Sequence, residues 1–288
     1  MAQKKLFKIF GSLLLLVFLL IGFNVKSQQQ RTKLEVDVLD VGQGDAILIK
    51  TPYEQNILID GGPDNTVLAQ LGKNLAFFDK NIDLMILTHP HSDHVTGLVE
   101  VLRRYKVKKV MMTGVLHTAP YYLAFLDEIK KQNIPVEIVK SPEDIVLSAD
   151  LDLKILYPLT DLSNQKFDNL NNTSIVSKLI YKNTSFLFTG DAQSEVEDQL
   201  LKNKTDLTAN VLKVGHHGSK YSTTSEFLEA VKPQYAVISA GKDNDFGHPH
   251  MQTLDRLEQD KIGIWRTDLL GTISVISDGQ QITIKNRS

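Results

Sequence analysis

The chain has 288 residues, 42% of them hydrophobic and 23% charged, and a formal charge of -2. That composition is globular, neither disordered nor collagenous, and it lacks the basic excess of a nucleic-acid coat protein. The absence of cysteine excludes a disulfide scaffold, a Cys-ligated zinc finger, an iron–sulfur centre and a thiol nucleophile.

Lys4, Lys5 and Lys8 precede an uncharged run from Ile9 to Phe23. This is a basic n-region followed by an apolar h-region. The run is short for a spanning helix of about 20 residues. Val25 and Ser27 have the spacing of a cleavage site. Residues 1–27 are therefore read as a signal peptide or, if uncleaved, an N-terminal membrane anchor. Both readings place the folded part outside the cell, secreted or held on the outer side of the cytoplasmic membrane. The segment contains four lysines and no acid, so the remainder is mildly acidic. Any affinity for long nucleic acid should be modest.

Residues 33–285 contain no low-complexity linker and no constant repeat, and are read as one domain. Strands are predicted at Leu34–Leu39, Ala46–Lys50, Asn56–Ile59, Leu84–Leu87, Lys109–Met112 and Glu137–Val139. Further strands are predicted at Leu153–Leu156, Ser174–Ile180, Ser185–Phe188, Val211–Val214, Tyr235–Ser239 and Thr272–Ile276. Helical spacing appears at Val95, Leu98, Val99 and Leu102, at Val196 and Leu200, at Phe227, Leu228 and Val231, and at Met251, Leu254 and Leu257. Thr223 and Glu226 have capping-box spacing, and Pro233 ends that helix. The expected architecture is two packed sheets with helices on their outer faces.

Seven of the eight histidines fall in three segments: Thr88–His94, Gly215–Ser219 and Gly247–His250. Only His117 stands alone, as a solvated or core residue. The first segment begins where an apolar strand ends and reads His89-Pro90-His91-Ser92-Asp93-His94. Imidazole nitrogen and carboxylate oxygen suit a borderline divalent metal such as zinc. Four potential ligands in six residues exceed what one ion with an open position needs, and two neighbouring ions fit better.

These residues make the chain resemble the metallo-β-lactamase superfamily, and most closely its competence-type branch, which includes the extracellular domain of the DNA-uptake protein ComEC. The resemblance rests on Leu39–Asp45, Leu58–Gly62, His89–His94 with Gly97, Phe188–Asp191, Lys213–Ser219 and Phe246–His250. It implies a four-layer αββα sandwich. It also implies that His89 and His91 hold one metal, that Asp93, His94 and His248 hold a second, and that Asp191 bridges both. Asp45 and Asp60 are expected to hydrogen-bond ligand imidazoles. One departure stands out: no histidine lies between His117 and Asp191, where most binuclear members carry a third ligand to the first metal. Asn171-Asn172-Thr173-Ser174 stands there instead, so Asn172 is a candidate ligand, substrate contact or plain turn residue. The first ion would be looser, which brings manganese in beside zinc.

Of His216 and His217, adjacent residues that should point apart, His217 is expected to enter the cavity and His216 to pack behind it. His217 is read as a catalytic group acting on substrate, with direct metal ligation as the second option, and Asp93 is counted both among the ligands and among the catalytic groups. His250 is read as a helix-cap residue.

The expected chemistry is hydrolysis by a water that loses its proton between two divalent ions. The branch resemblance implies phosphodiester substrates, either nucleic acid or a phosphorylated envelope component. The alternatives are a carbon-centred ester, thioester or β-lactam, or a non-catalytic binding module of the uptake or envelope machinery. Contact with membrane is expected only through residues 1–27, and the sequence points to no protein partner.

Overall fold

The computed structural model describes residues 32–287, so the leader reading of residues 1–27 lies outside the described residues. One sheet has eight strands in the order β17 (Ile282–Arg287), β16 (Thr272–Ser277), β1 (Leu34–Val38), β2 (Ile47–Lys50), β3 (Asn56–Ile59), β5 (Leu84–Ile86), β7 (Val110–Met112) and β8 (Val136–Ile138). The other has seven: β15 (Gly263–Arg266), β14 (Tyr235–Ile238), β13 (Val211–Lys213), β12 (Thr184–Phe188), β11 (Val176–Tyr181), β10 (Leu151–Tyr157) and β9 (Glu143–Ser148). A minor parallel pair joins β4 (Asn81–Ile82) to β6 (Lys106–Val107).

The layering follows from side-chain alternation, because successive residues of a strand face opposite sides of the sheet. Ile47, Ile49, Ile57, Ile59, Leu84 and Ile86 share one buried cluster with Leu153, Leu179, Phe186, Phe188, Val211 and Val237 of the other sheet. The intervening Leu48, Leu58 and Met85 face outward onto α1 (Thr66–Asn74), α2 (Ser92–Arg104) and α3 (Pro120–Gln132), which contribute Val67, Leu98 and Phe125. Leu187, Leu212 and Ile238 face α4 (Ser194–Lys202), α5 (Ser225–Val231) and α6 (Met251–Gln259) through Val196, Phe227 and Leu257. A short α7 (Thr267–Leu270) connects β15 to β16. The result is the four-layer αββα order expected from the resemblance. Each fully buried aliphatic side chain in these layers contributes about 1.5–3 kcal/mol.

Several elements escaped the sequence reading. Helix α3 carries the nearly unbroken apolar run Tyr121–Leu126, which hides its period, and α1 buries only Val67 and Leu71. Strands β9, β15 and β17 are all sheet edges, where one neighbour is missing and burial is incomplete. The cap of α5 is Thr224, whose side chain accepts from Phe227 N–H, and not Thr223. Both Thr223 and Thr224 give their N–H groups to the buried Glu197 carboxylate, which pins the turn before the helix.

Candidate metal centre

Loops that follow β1, β3, β5, β12, β13 and β14 meet at one end of the sandwich. β3 and β5 run parallel, so Asp60 and the Thr88–His94 segment emerge side by side. Helix α2 starts at Ser92 and lies hard against the turn after β3: a Cβ on Gly97 would sit 1.9 Å from Gly61 O. Only glycine allows that approach, and it sets Asp93 and His94 over Asp60. Three residues here, Asp60, His216 and His217, have positive φ angles of 58, 48 and 54°. Non-glycine residues in this region are strained and gather at functional sites.

The groups converge on Asp191. Its Oδ2 lies 3.3 Å from His94 Nε2, 3.4 Å from His217 Nε2, and 3.8 Å from both His89 Nε2 and His216 Nε2. His89 Nε2 is 3.0 Å from His91 Nδ1. His217 Nε2 is 3.2 Å from Asp93 Oδ2. Two sets of potential ligand atoms therefore share Asp191: His89, His91 and Asp191, and Asp93, His94, Asp191 and His217. Among the described residues, Asp191 Oδ1 and His94 Nε2 are buried without a hydrogen-bond partner. Buried polar atoms left in this state are costly unless a ligand completes them. The mixed N/O donors and these orphaned atoms fit divalent metal ions.

The outward nitrogen of each histidine decides whether Nε2 can bind a metal, because a neutral imidazole has one lone pair and one N–H. His94 donates Nδ1–H to Asp60 Oδ2 at 2.8 Å, and His217 donates Nδ1–H to Ser239 O at 3.0 Å. Thr88 spends its hydroxyl proton on Asp60, so its oxygen accepts from His89 Nδ1 at 3.1 Å. These three rings thus present a lone pair at Nε2. His216 is held the other way. Gln193 Oε1 accepts from Asn169 at 2.8 Å, which turns the Gln193 amide NH2 toward His216 Nδ1 at 3.1 Å. Gln43 Oε1 accepts from Gly241 N–H at 3.0 Å, which turns its NH2 toward His248 Nδ1 at 3.4 Å. His216 and His248 therefore carry a proton on Nε2.

Field and burial act together on these groups. Burial disfavours charge on His94 and His217, yet Asp191 and the neighbouring carboxylates outweigh it and hold both imidazoles well above the usual histidine range. The field that draws a proton there also draws a cation. At His89, burial and the His94 charge push the pKa well down. His248 is pushed down to about 4, first by burial and then by His217 and His216. Asp45 is pulled down to about 2: burial opposes its charge, but the Lys213 ammonium 2.8 Å away and the His217 ring prevail.

Several placements differ from the sequence reading. His217 stands in the second ligand set, and His248, which the resemblance assigned there, lies one ring further out, 6.1 Å from His217 between centroids. His216 and His217 do not point apart: their left-handed backbones turn both rings toward Asp191. Asn172 is occupied elsewhere, accepting from Gln193 N–H and donating to Glu195 at the start of α4. Ser174, two residues on, is the member of that segment that reaches the centre: its Oγ lies 3.2 Å from His89 Nδ1 and accepts Asp191 N–H at 3.1 Å. His117 stands outside both ligand sets, with its ring nitrogen 3.4 Å from Tyr121 OH on α3. Gln43, Gln193, Ser174 and Lys213 were not singled out as individual site residues, because amides, hydroxyls and a lysine carry no ligand spacing of their own. His250 precedes α6 and accepts Lys220 N–H. Phe246 is exposed and stacks on His248 at 5.8 Å, and exposed Tyr221 lies under Lys220.

A family model described as Metallo-beta-lactamase superfamily matches residues 39–242. The chain is 33% identical over 256 residues to ComE operon protein 3 of Bacillus subtilis (strain 168), covering 83% of this chain and 32% of that protein. It is 29% identical over 240 residues to competence protein ComA of Neisseria gonorrhoeae, covering 83% of this chain and 31% of that protein. The chain thus spans about a third of the length of these relatives. Among solved structures it resembles CmlA, a diiron beta-hydroxylase from Streptomyces venezuelae, at a TM-score of 0.54 and 14% identity over 88% of this chain and 54% of that one, a likeness of fold alone.

Proposed function

The chain belongs to the metallo-β-lactamase superfamily, and we propose that it is a metal-dependent hydrolase of phosphodiesters held at the outer face of the cytoplasmic membrane by residues 1–27. The observation that carries the substrate class is the pair of imidazoles, His216 and His248, held as neutral Nε2–H donors by glutamine amides beside the carboxylate cluster. In this reading His89, His91 and Asp191 hold one divalent ion, and Asp93, His94, Asp191 and His217 hold the other. Zinc is the first candidate and manganese the second. Two such ions supply Lewis acidity and lower the pKa of a water nucleophile. Asp60 and Ser239 keep the His94 and His217 lone pairs directed at the ions, and Asp45 with Lys213 fixes the His217 ring. His216 and His248 give N–H bonds to phosphoryl oxygens as charge builds there, which is stabilisation of the oxyanion-hole kind.

Nucleic acid is the favoured source of the diester. Exposed Phe246 stacks on His248 and exposed Tyr221 follows the His216–Ser219 loop, and both offer faces on which bases can stack; the matched relatives include one named a competence protein. The overall charge of -2 predicts modest affinity with strong salt sensitivity.

The test is turnover of bis(p-nitrophenyl) phosphate, single-stranded DNA and nitrocefin by one zinc- or manganese-loaded preparation. Hydrolysis of the two phosphodiesters is expected. Hydrolysis of nitrocefin alone would move the assignment to a carbon-centred substrate, and binding of DNA without turnover of any probe would make it a binding module. His248→Ala should cost about 10²-fold in rate with bound metal unchanged, the usual loss for one oxyanion donor. His217→Ala should lose metal and rate together.

A further inference from the structure

We propose that the loop carrying Phe77 and Phe78 seats on the phospholipid surface of the membrane that residues 1–27 enter, and so holds the metal centre facing away from the bilayer; this rests on the anchor reading above. The two phenylalanines are 82% and 79% exposed, adjacent in sequence, and packed edge to face at 4.9 Å. Burial of a large apolar ring stabilises a protein, so two neighbouring exposed rings call for a covering surface.

Their place in the fold identifies that surface. Helix α1 leaves the metal end after Gly62 and delivers the chain to the opposite end, where Phe77 and Phe78 lie between α1 and β4. Asn56 ties this loop to the sheet by donating to Asp79 Oδ2 at 2.8 Å and to Asn81 O at 3.0 Å. Asn56 pairs with Lys50, and Lys50 pairs with Glu35, the second residue of β1. The loop therefore lies at the end where the chain enters the first sheet, one strand length from Asp60 and His89. Phe23, the last residue of the apolar run, precedes Leu34 by a connection that spans at most about 3.5 Å per residue. An apolar run seated in a bilayer keeps this end of the fold close to the lipid surface.

Charge fits the same occupant. Lys73 lies in the last turn of α1, Lys80 follows the loop, and Lys106 pairs with Asn81 beside it. None of the three takes part in an ion pair among the described residues, and Lys80 rests its ammonium over the Tyr105 ring at 4.7 Å. Aromatic rings beside lysines match the interfacial zone of an anionic bilayer, where rings sit at headgroup level and ammonium groups meet phosphate.

The sequence has no cysteine, so one introduced thiol labels one place. Full-length Phe78→Cys and, at the metal end, full-length Met251→Cys would each carry a polarity-sensitive dye. Both would be added to vesicles of phosphatidylcholine and phosphatidylglycerol containing nitroxide-labelled lipid, and floated. Equal thermal midpoints and metal contents would establish that both variants are folded. The expected result is flotation of both, with emission lost at position 78 and retained at position 251. Flotation with unquenched emission at 78 overturns the loop contact and leaves the anchor reading standing. Quenching at 251 overturns the orientation. Failure to float overturns the anchor reading and the contact with it.

Discussion

The two ends of the first sheet bury comparable numbers of charged groups with opposite outcomes. At the entry end, Lys50 sits between Glu35 and Asp37 at 3.1 and 2.9 Å, and Arg287 closes on Glu35 as well. Glu35 Oε1 and Asp37 Oδ2 lack a well-angled hydrogen bond, yet each faces a cation, so two acids meet two bases. At the metal end, Asp45, Asp60, Asp93 and Asp191 face a single ammonium, that of Lys213. A buried cluster that neutralises itself serves the fold. One whose carboxylates are met mainly by imidazoles, which can give up a proton to a metal ion, fits a cation from outside. The difference is whether the counter-charge is fixed on lysine and arginine or carried by imidazoles that can exchange a proton for a metal ion.

Four perturbations sharpen that contrast. The largest effect belongs to Asp191, which faces four imidazoles: Asp191→Ala should bring bound metal and phosphodiester turnover down to the level of chelator-treated protein, read by elemental analysis and rate. Retention of both ions would break the shared-carboxylate assignment. Next is Lys50→Met, which leaves the buried Asp37 and the half-buried Glu35 with Arg287 alone. It should cost about 3–5 kcal/mol and lower the thermal midpoint by roughly 10 °C, with metal content unchanged per folded molecule. A loss of metal equal to that in Asp191→Ala would erase the distinction between the ends. Third, Asp60→Asn keeps one carbonyl oxygen for Thr88 N–H and turns an NH2 toward His94 Nδ1, so the carboxylate that holds the ring is lost; metal affinity should weaken by about 10–100-fold, measured by competition with a chromogenic chelator. The smallest effect is on acid stability. Asp45 has a folded pKa of about 2 against an unfolded value near 4. Its contribution is therefore complete above about pH 4 and is lost as the pH falls toward 2. Metal-free protein should show this in acid unfolding followed by circular dichroism. Asp45→Asn, although less stable throughout, should flatten the slope in that window, and an unchanged slope would remove Asp45 from the account.

Much of the metal chemistry was legible before any fold was known. The His89–His94 segment carries four potential ligands in six residues directly after an apolar strand, and a strand end with that spacing needs nothing distant to make its meaning plain. The interior strands were legible for a related reason. Their alternating aliphatic residues are buried on both faces, as Ile47–Ile49 and Ile57–Ile59 are. Edge strands β9, β15 and β17 share too little of that pattern to be seen.

What only the tertiary structure decided is where each histidine ring stands and which group lies behind it. A ring becomes a ligand or a donor according to the group behind it, and those groups come from far away in the chain. Gln43 lies 205 residues from His248, and Ser239 lies 22 from His217. His216 and His217 are neighbours with the same side chain, so no spacing rule separates them. A carbonyl behind one leaves its Nε2 bare, and an amide NH2 behind the other leaves its Nε2 protonated. The sequence alone determined that this protein has the layers and the residues for a divalent centre. The assignment of His217 to that centre and of His248 to its rim came from packing, because the proton on an imidazole is placed by its hydrogen-bond partner.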